Sequence, residues 1–371
     1  MLEKAIQVLK KINKLNKKAF IVGGFVRDYL LNIESFDIDI CTNLLPDDIK
    51  KTFSRFKDYN SKYGNIIIYY RKERFEITTF RKENNYLDKR HPNDIVFIDD
   101  EYIDSLRRDF TINALLMDKN KKIFDYHNGL NDLNNKIIRT INDPNIRFEE
   151  DPIRILRGIY LVSRLNFNLE EETYNACINK SFLLKDIKFE RLYYELNKIF
   201  IQKHLNKAIN LIKTFNIPNY LNLNNSFSLL DDSFSFDEVL ILESFFNFDY
   251  IINLPLRKAL KLKIKLYKEF DYNNIIDLFN INLDDLKLYI KLMKYYNNSN
   301  LEYLIFEKNN FIIHNIKELD ININDLKEYN TNIKNLLNDI LIKVLNKELI
   351  NDEKEIKTYL EMVLNDKRNN S

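Results

Sequence analysis

Glycine is scarce in this sequence: there are five in 371 residues, and none lies beyond Gly158. Tryptophan is absent, proline occurs six times and cysteine twice. Cys41 and Cys177 are isolated, which excludes a disulfide framework and a cysteine-based zinc site. The four histidines, His91, His127, His204 and His314, show no metal-ligand spacing. No apolar run approaches the ~18 residues that a membrane-spanning helix needs. The start, MLEKAIQVLKKINKLNKK, reads as an amphipathic helix with Leu2, Ala5, Ile6, Leu9, Ile12 and Leu15 on one face. It has neither the unbroken apolar core nor the cleavage site of a secretion signal. The sequence therefore predicts a cytoplasmic protein, and it implies neither a membrane nor a protein partner. The formal charge is only +2, so a polyanion must be met by local clusters of Lys and Arg. The abundance of Asn, Lys, Ile and Tyr reads as genome base bias.

The two ends differ in kind. Up to about residue 150, short β-like runs (KAFIVGG, NIIIYY, RFEITTF, NDIVFID) alternate with helical stretches, which predicts an α/β head. Beyond it, apolar residues recur at spacings of three and four, which predicts an elongated all-helical remainder. Breaks are expected near Asn142–Pro144, near Pro218, in 224–237 and in 295–303. They suggest a head over 1–142, a helical neck over 143–205, a body over 206–295 and a tail over 296–371.

The chemistry concentrates in FIVGGFVRDYLLNIESFDIDI, residues 20–40. In FDIDI, Phe36, Ile38 and Ile40 alternate with Asp37 and Asp39. On a strand, the apolar three face the core and the aspartates face out, ~6–7 Å apart. Like charges that close call for a cation or a shifted pKa. Glu76, in the alternating run RFEITTF, is a third carboxylate if its strand lies beside FDIDI. Hard oxygen donors of this kind suit Mg²⁺ and two-metal nucleotidyl transfer. A lone D-x-D is also what a solvated strand edge carries. Gly23 and Gly24 sit between an apolar run and the helical FVRDYLL, where backbone N–H groups favour an anion and no Cβ obstructs a phosphate. Arg27 adds positive charge one turn in. The Walker pattern is absent.

Taken together, VGGFVRDYLLNIESFDIDI, RRDFTINAL (Arg107 to Leu115), EEDPIRILRGIYLVSRLNF (Glu149 to Phe167) and, more weakly, FERLYYELNKIF (Phe189 to Phe200) resemble the ordered signatures of a known family. It is that of class II tRNA nucleotidyltransferases and bacterial poly(A) polymerases, within the DNA polymerase β-like superfamily. The resemblance covers about residues 15–200. It implies a nucleotidyltransferase head with Asp37 and Asp39 as the metal-binding pair. Glu76 becomes the carboxylate that orients or deprotonates the primer hydroxyl. Gly23, Gly24 and Arg27 would hold the triphosphate, and Arg108, Asp151, Arg154 and Arg157 would select the base. Asp109 would orient an arginine or cap a helix. Phe110, Ile112, Ala114 and Leu115 are expected to be buried.

The selecting role is consistent with hydrogen-bond chemistry. Asp151 and Arg154, three apart, fall on one face of the predicted helix, with Pro152 in its first turn. A carboxylate accepts from an amino group, and a guanidinium donates to a ring nitrogen. Cytosine and adenine offer that pair on their Watson–Crick edges, whereas guanine and uracil do not. The same spacing also suits a surface ion pair.

The resemblance implies addition or repair of the 3′-terminal CCA of tRNA from CTP and ATP, with release of pyrophosphate. The unbroken segment 80–109, with YLDKRHP, looks like the loop of relatives that add the terminal A. A-only addition, poly(A) synthesis and a non-catalytic RNA-binding paralogue stay open. Poly(A) polymerases of this family carry a longer basic tail than NDKRNNS. RNA would be met in the helical half, where Arg257, Lys258, Lys261 and Lys265 share a face of 256–270 if that segment is a helix. KLKIKL also alternates like a strand.

Overall fold

The first amphipathic stretch forms helix α1 (Leu2–Asn13), which buries Ala5, Leu9 and Ile12 and stops short of Leu15, half-exposed beyond its end. The computed structural model describes residues 1–86, 92–322, 326 and 332–369. They group into two compact units, Met1–Val239 and Leu240–Ser371. This boundary falls inside the segment 206–295.

In the first unit, strands β1 (Ala19–Val22), β2 (Asp39–Thr42), β3 (Phe56–Asn60), β4 (Asn65–Tyr70) and β5 (Glu73–Thr79) belong to a mixed sheet. The strands β6 (Arg81–Tyr86) and β7 (Pro92–Phe97) form a separate antiparallel hairpin. The short strands β8 (Leu116–Met117) and β9 (Ile123–Phe124) complete the main sheet, whose order is β3-β4-β5-β2-β1-β8-β9. The alternation read in RFEITTF is realised in β5: Phe75, Ile77 and Thr79 are buried, while Arg74, Glu76 and Thr78 point to the other face. Helix α1 and helix α2 (Gly24–Leu30) contribute Leu9, Ile12, Phe25 and Val26 to the core with Ile21, Ile40, Ile66 and Ile77.

Around the sheet run α3 (Pro46–Thr52), α4 (Glu101–Leu106) and α5 (Gly129–Asn134). Asp100 caps α4 by accepting from the Tyr102 and Ile103 amides. Phe110, Ile112, Ala114 and Leu115 are all buried. The chain then continues through α6 (Pro144–Glu150), α7 (Ile153–Leu165), α8 (Glu171–Lys180) and α9 (Phe189–Phe200). Pro144 occupies the first turn of α6, where its missing N–H costs nothing. The second unit is helical, with a core that includes Phe279, Leu341, Val344 and Leu360. No described helix is long and apolar enough to cross a membrane.

One expectation is corrected. FDIDI is not one strand. β2 begins at Asp39, and Phe36 is 68% exposed rather than packed on the core with Ile38 and Ile40. The reason lies in β1: Val22, its last residue, pairs with Asp39, and Gly23 then turns the chain away. Residues before Asp39 have no partner on that side. The segment 258–269 is a helix, as the basic face of 256–270 requires, and the strand-like alternation of KLKIKL is not realised.

Candidate active site

The site is built on one register position. Asp39 pairs with Val22 of β1 on one side and with Glu76 of β5 on the other, in the parallel β2–β5 ladder. Cross-strand partners share a face, so Asp39 and Glu76 stand side by side. Gly23 has φ 81°, a left-handed conformation that side chains resist, and a Cβ there would sit 3.6 Å from Asp39 Oδ2. Gly24 opens α2 with the Arg27 guanidinium close by: a Cβ at Gly24 would be 3.3 Å from Arg27 Nη2. The expected order of strand, glycine turn and helix is thus present, with the turn against the carboxylates.

Asp37 lies outside the strand, with its side chain 85% exposed and Oδ1 3.9 Å from Arg74 Nη1. Arg74 also reaches Glu76 Oε2 at 3.4 Å. Burial, then the negative charges of Asp37 and Glu76, push the Asp39 carboxyl up to about 6. Among the described residues no three His, Cys, Asp or Glu side chains close around a metal position. A pair of carboxylates nevertheless fits a hard cation such as Mg²⁺, which takes one or two protein oxygens and fills its shell with water and phosphate. The repulsion at Asp39 is what such a cation relieves.

Two adjoining chambers open beside this row. One, of about 480 Å³, is lined by Gly23, Gly24 and Asp39 and, across from them, by Arg108, Asp109, Asp151, Arg154 and Arg157. The other, about 350 Å³, brings in Arg27 and Asp37 and shares Gly24, Asp39, Asp109 and Arg157 with the first. The walls therefore bring together every nucleotide- and metal-site residue expected from the sequence except Glu76, which stands next to Asp39 in the sheet but lines neither chamber.

The helical side is cross-linked by ion pairs. Arg157 Nη2 lies 2.7 Å from Asp109 Oδ2. Burial acts to raise the Asp109 carboxyl, but Arg157, Asn113 and the Phe110 amide hold it below the usual range. Of the two partners expected for Asp109, an arginine or a helix start, the ion pair is with an arginine. Arg154 donates to Glu150 Oε2 and to the Arg147 carbonyl, both at 2.7 Å. Asp151 accepts from Arg191 at 3.3 Å on each oxygen. Arg27 is buried between Asp28, at 2.6 Å, and the Asn113 side-chain oxygen Oδ1, also at 2.6 Å. Arg108 pairs with Asp104 at 3.2 Å, and its buried Nε has no hydrogen-bond partner among the described residues.

The expected Asp151–Arg154 helical face is corrected as well. Asp151 has φ −147° and ψ 98°, so it is extended and precedes α7. A residue before proline is driven out of the helical region, and Asp151 precedes Pro152. The two side chains still line one chamber.

Two residues of this architecture were not singled out in the sequence. Arg191, in α9, holds Asp151 across 40 positions. Arg147, in α6, donates to the carbonyls of Arg107 and Arg108 at 2.6 and 2.9 Å and so fixes the backbone of RRD. Both fall in or next to the matched segments, but only the fold supplies their partners. Arg257, Lys258 and Lys265 are exposed and Lys261 partly so, in the second unit. Residues 87–91, most of YLDKRHP, lie outside the described residues.

Comparison with known proteins places this geometry. Residues 19–139 match the family described as Poly A polymerase head domain, and 166–223 match the probable RNA and SrmB-binding site of polymerase A. The chain is 31% identical over 389 residues to the CCA-adding enzyme of Staphylococcus epidermidis, covering 97% of each. It is 41% identical over 208 residues to that of Lactobacillus helveticus, covering 56% of this chain and 52% of the other. Among solved structures, the Bacillus stearothermophilus CCA-adding enzyme in complex with CTP superposes with a TM-score of 0.79 at 23% identity, covering 100% of this chain and 99% of that one. The Thermotoga maritima CCA-adding enzyme complexed with tRNA gives 0.68 at 22% identity, covering 98% and 95%. With a full-length relative at that identity and a nucleotidyltransferase head around the carboxylate row, the chain belongs to the CCA-adding enzyme family of tRNA nucleotidyltransferases.

Proposed function

We propose that this protein adds or repairs the 3′-terminal CCA of tRNA, from CTP and ATP, without a nucleic-acid template and with release of pyrophosphate. The observation that carries this reading is the juxtaposition in one chamber of the Gly23 turn, Asp39 and the Asp151–Arg154 pair, with Glu76 beside Asp39.

Asp37 and Asp39 would hold Mg²⁺. When bound, the metal lowers the cost of charge on the attacking and leaving oxygens. Glu76 orients the primer 3′-hydroxyl and accepts its proton. Gly23 and Gly24 let the triphosphate approach the backbone, and Arg27, fixed by Asp28 and Asn113, supports the turn from below. Asp151 accepts from the exocyclic amino group of cytosine or adenine, and Arg154 donates to the neighbouring ring nitrogen. Guanine and uracil would leave both protein groups unpaired, which discriminates strongly. Arg108, with its unpaired Nε, and Arg157, held by Asp109, complete the nucleotide's surroundings. Arg257, Lys258, Lys261 and Lys265 would meet tRNA phosphates. In this reading 1–142 is the head, 143–205 the neck, 206–295 the body and 296–371 the tail.

The test uses purified protein, Mg²⁺ and tRNAs that end before CCA, after C and after CC, each given CTP, ATP or both and read at single-nucleotide resolution. Completion of CCA on all three, and nothing beyond, is the expected result. Extension of the CC-ended tRNA alone would make this an A-adding enzyme. Long A tracts would make it a poly(A) polymerase, and no incorporation would favour a binding protein.

A further inference from the structure

The sheet face that carries Asp39 and Glu76 continues past them. On this face three successive rows cross the strands. The central row is Asp39, Glu76, Ile67 and Lys57. On one side of it lie Thr78, Asn65 and Asn60, and the two asparagines line the larger chamber with Tyr59 and Tyr63. On the other side, Arg74 pairs with Tyr69, whose amide donates to the Arg55 carbonyl at 2.9 Å. Asp37 lies at this same end, 3.9 Å from Arg74. Glu76 thus stands between the chamber and a second patch.

That patch sets an exposed aromatic ring among cations. Tyr69 is 44% exposed. Lys57 and Arg55 are exposed and form no ion pair among the described residues. From β2 to β3 the strip spans three strand spacings, roughly 14 Å. Exposed rings with interleaved cations are the chemistry that holds single-stranded nucleic acid, by stacking on bases and pairing with phosphates.

In-line displacement puts the attacking hydroxyl opposite the leaving pyrophosphate. With the nucleotide in the chamber, a hydroxyl at Glu76 has to arrive from the Arg74 side. We infer that the open sheet face formed by Arg74, Tyr69, Lys57 and Arg55 is the track that seats the nucleotides next to the 3′ terminus of the RNA primer. This rests on the nucleotide and Glu76 roles proposed above. These side chains are binding and positioning residues and take no part in bond making.

The experiment compares wild type, Tyr69→Ala, Tyr69→Phe and the double variant Lys57→Ala/Arg55→Ala. It reads KM for a CC-ended tRNA, KM for ATP, and the dissociation constant of a short CC-ended RNA oligonucleotide. Loss of one stacking ring raises the primer KM and the oligonucleotide dissociation constant by about tenfold. The ATP KM stays within about twofold, and Tyr69→Phe, which keeps the ring, behaves as wild type. Unchanged primer and oligonucleotide values in both Ala variants overturn the inference, as does an ATP KM that rises in parallel. The double variant removes exposed side chains only, so it decides the matter should Tyr69→Ala fold poorly. If wild type adds no nucleotide to any tRNA, the reading of the active site fails. Oligonucleotide binding then still decides the track, with a tenfold loss supporting it and no loss overturning it.

Discussion

The two walls of the chamber are built on opposite electrostatic plans. On the sheet wall, Asp37, Asp39 and Glu76 crowd together, and the carboxyl of Asp39 rises to about 6 through burial and its two neighbours. Arg108 and the half-exposed Arg74 offset them only in part. On the helical wall nearly every charge already has a partner: Arg157 with Asp109, Arg154 with Glu150, Arg191 with Asp151, Arg108 with Asp104. The first wall is short of positive charge and is completed by what binds it. The second has its charges paired before anything binds, and in the proposed reading this is what lets it measure a base. The proposed template-independent reaction would use both, an ion that comes and goes with the triphosphate and reading groups that stay fixed.

If that division is right, the two walls fail differently. The largest effect should come from Asp37→Ala. Loss of a metal ligand removes several kcal/mol of transition-state stabilisation, so incorporation should fall by at least about a thousandfold. tRNA binding, read by filter retention, should be unchanged; unchanged activity would remove Asp37 from the metal site. Next is Arg191→Ala, which frees Asp151. We expect KM for CTP and ATP to rise roughly tenfold and rejection of UTP to weaken, with the metal dependence unaltered. A change in Mg²⁺ requirement instead would join the two walls into one unit.

A smaller effect concerns stability. Burial acts to raise the Asp104 carboxyl, but Arg107 and Arg108 outweigh it and hold the group below the ordinary range. A carboxyl lowered in the folded state contributes stability above its unfolded value of about 4, and loses it as pH falls through the folded value. The thermal midpoint of wild type should therefore fall more steeply below about pH 4 than that of Asp104→Asn. Parallel curves would mean that the pairing on this wall contributes nothing. The smallest effect is expected in the second unit: Lys258→Ala and Lys265→Ala should each lower the salt slope of tRNA binding by about one. A slope that does not move would leave this helix face as a solvated surface.

Local pattern made much of this architecture readable. The period-two alternation of RFEITTF gave β5, and the spacing of three and four gave the helices that follow residue 150. The glycine turn was legible because only glycine tolerates φ 81° beside a carboxylate. The reading failed where a partner strand set the answer. Whether Asp37 belongs to β2 depends on where β1 ends, and Gly23 ends it two residues too early. The extended backbone of Asp151 is legible in the sequence, since the proline after it already disfavours a helix. Arg147 and Arg191 could not be read, because each acts on residues about 40 positions away. Such pairings are made by packing of α6, α7 and α9 and leave no local periodicity.

The measurement that bears most directly on the two-wall account is nucleotide choice under single-turnover conditions. A tRNA ending before CCA and one ending after CC would each be offered CTP, ATP, UTP and GTP, with wild type and with Asp151→Asn. The account predicts that wild type takes only C and then A. Asp151→Asn should lose its preference over U and G while its Mg²⁺ dependence stays that of wild type. Full retention of C and A selectivity by Asp151→Asn, or a loss of metal dependence alongside, would contradict it.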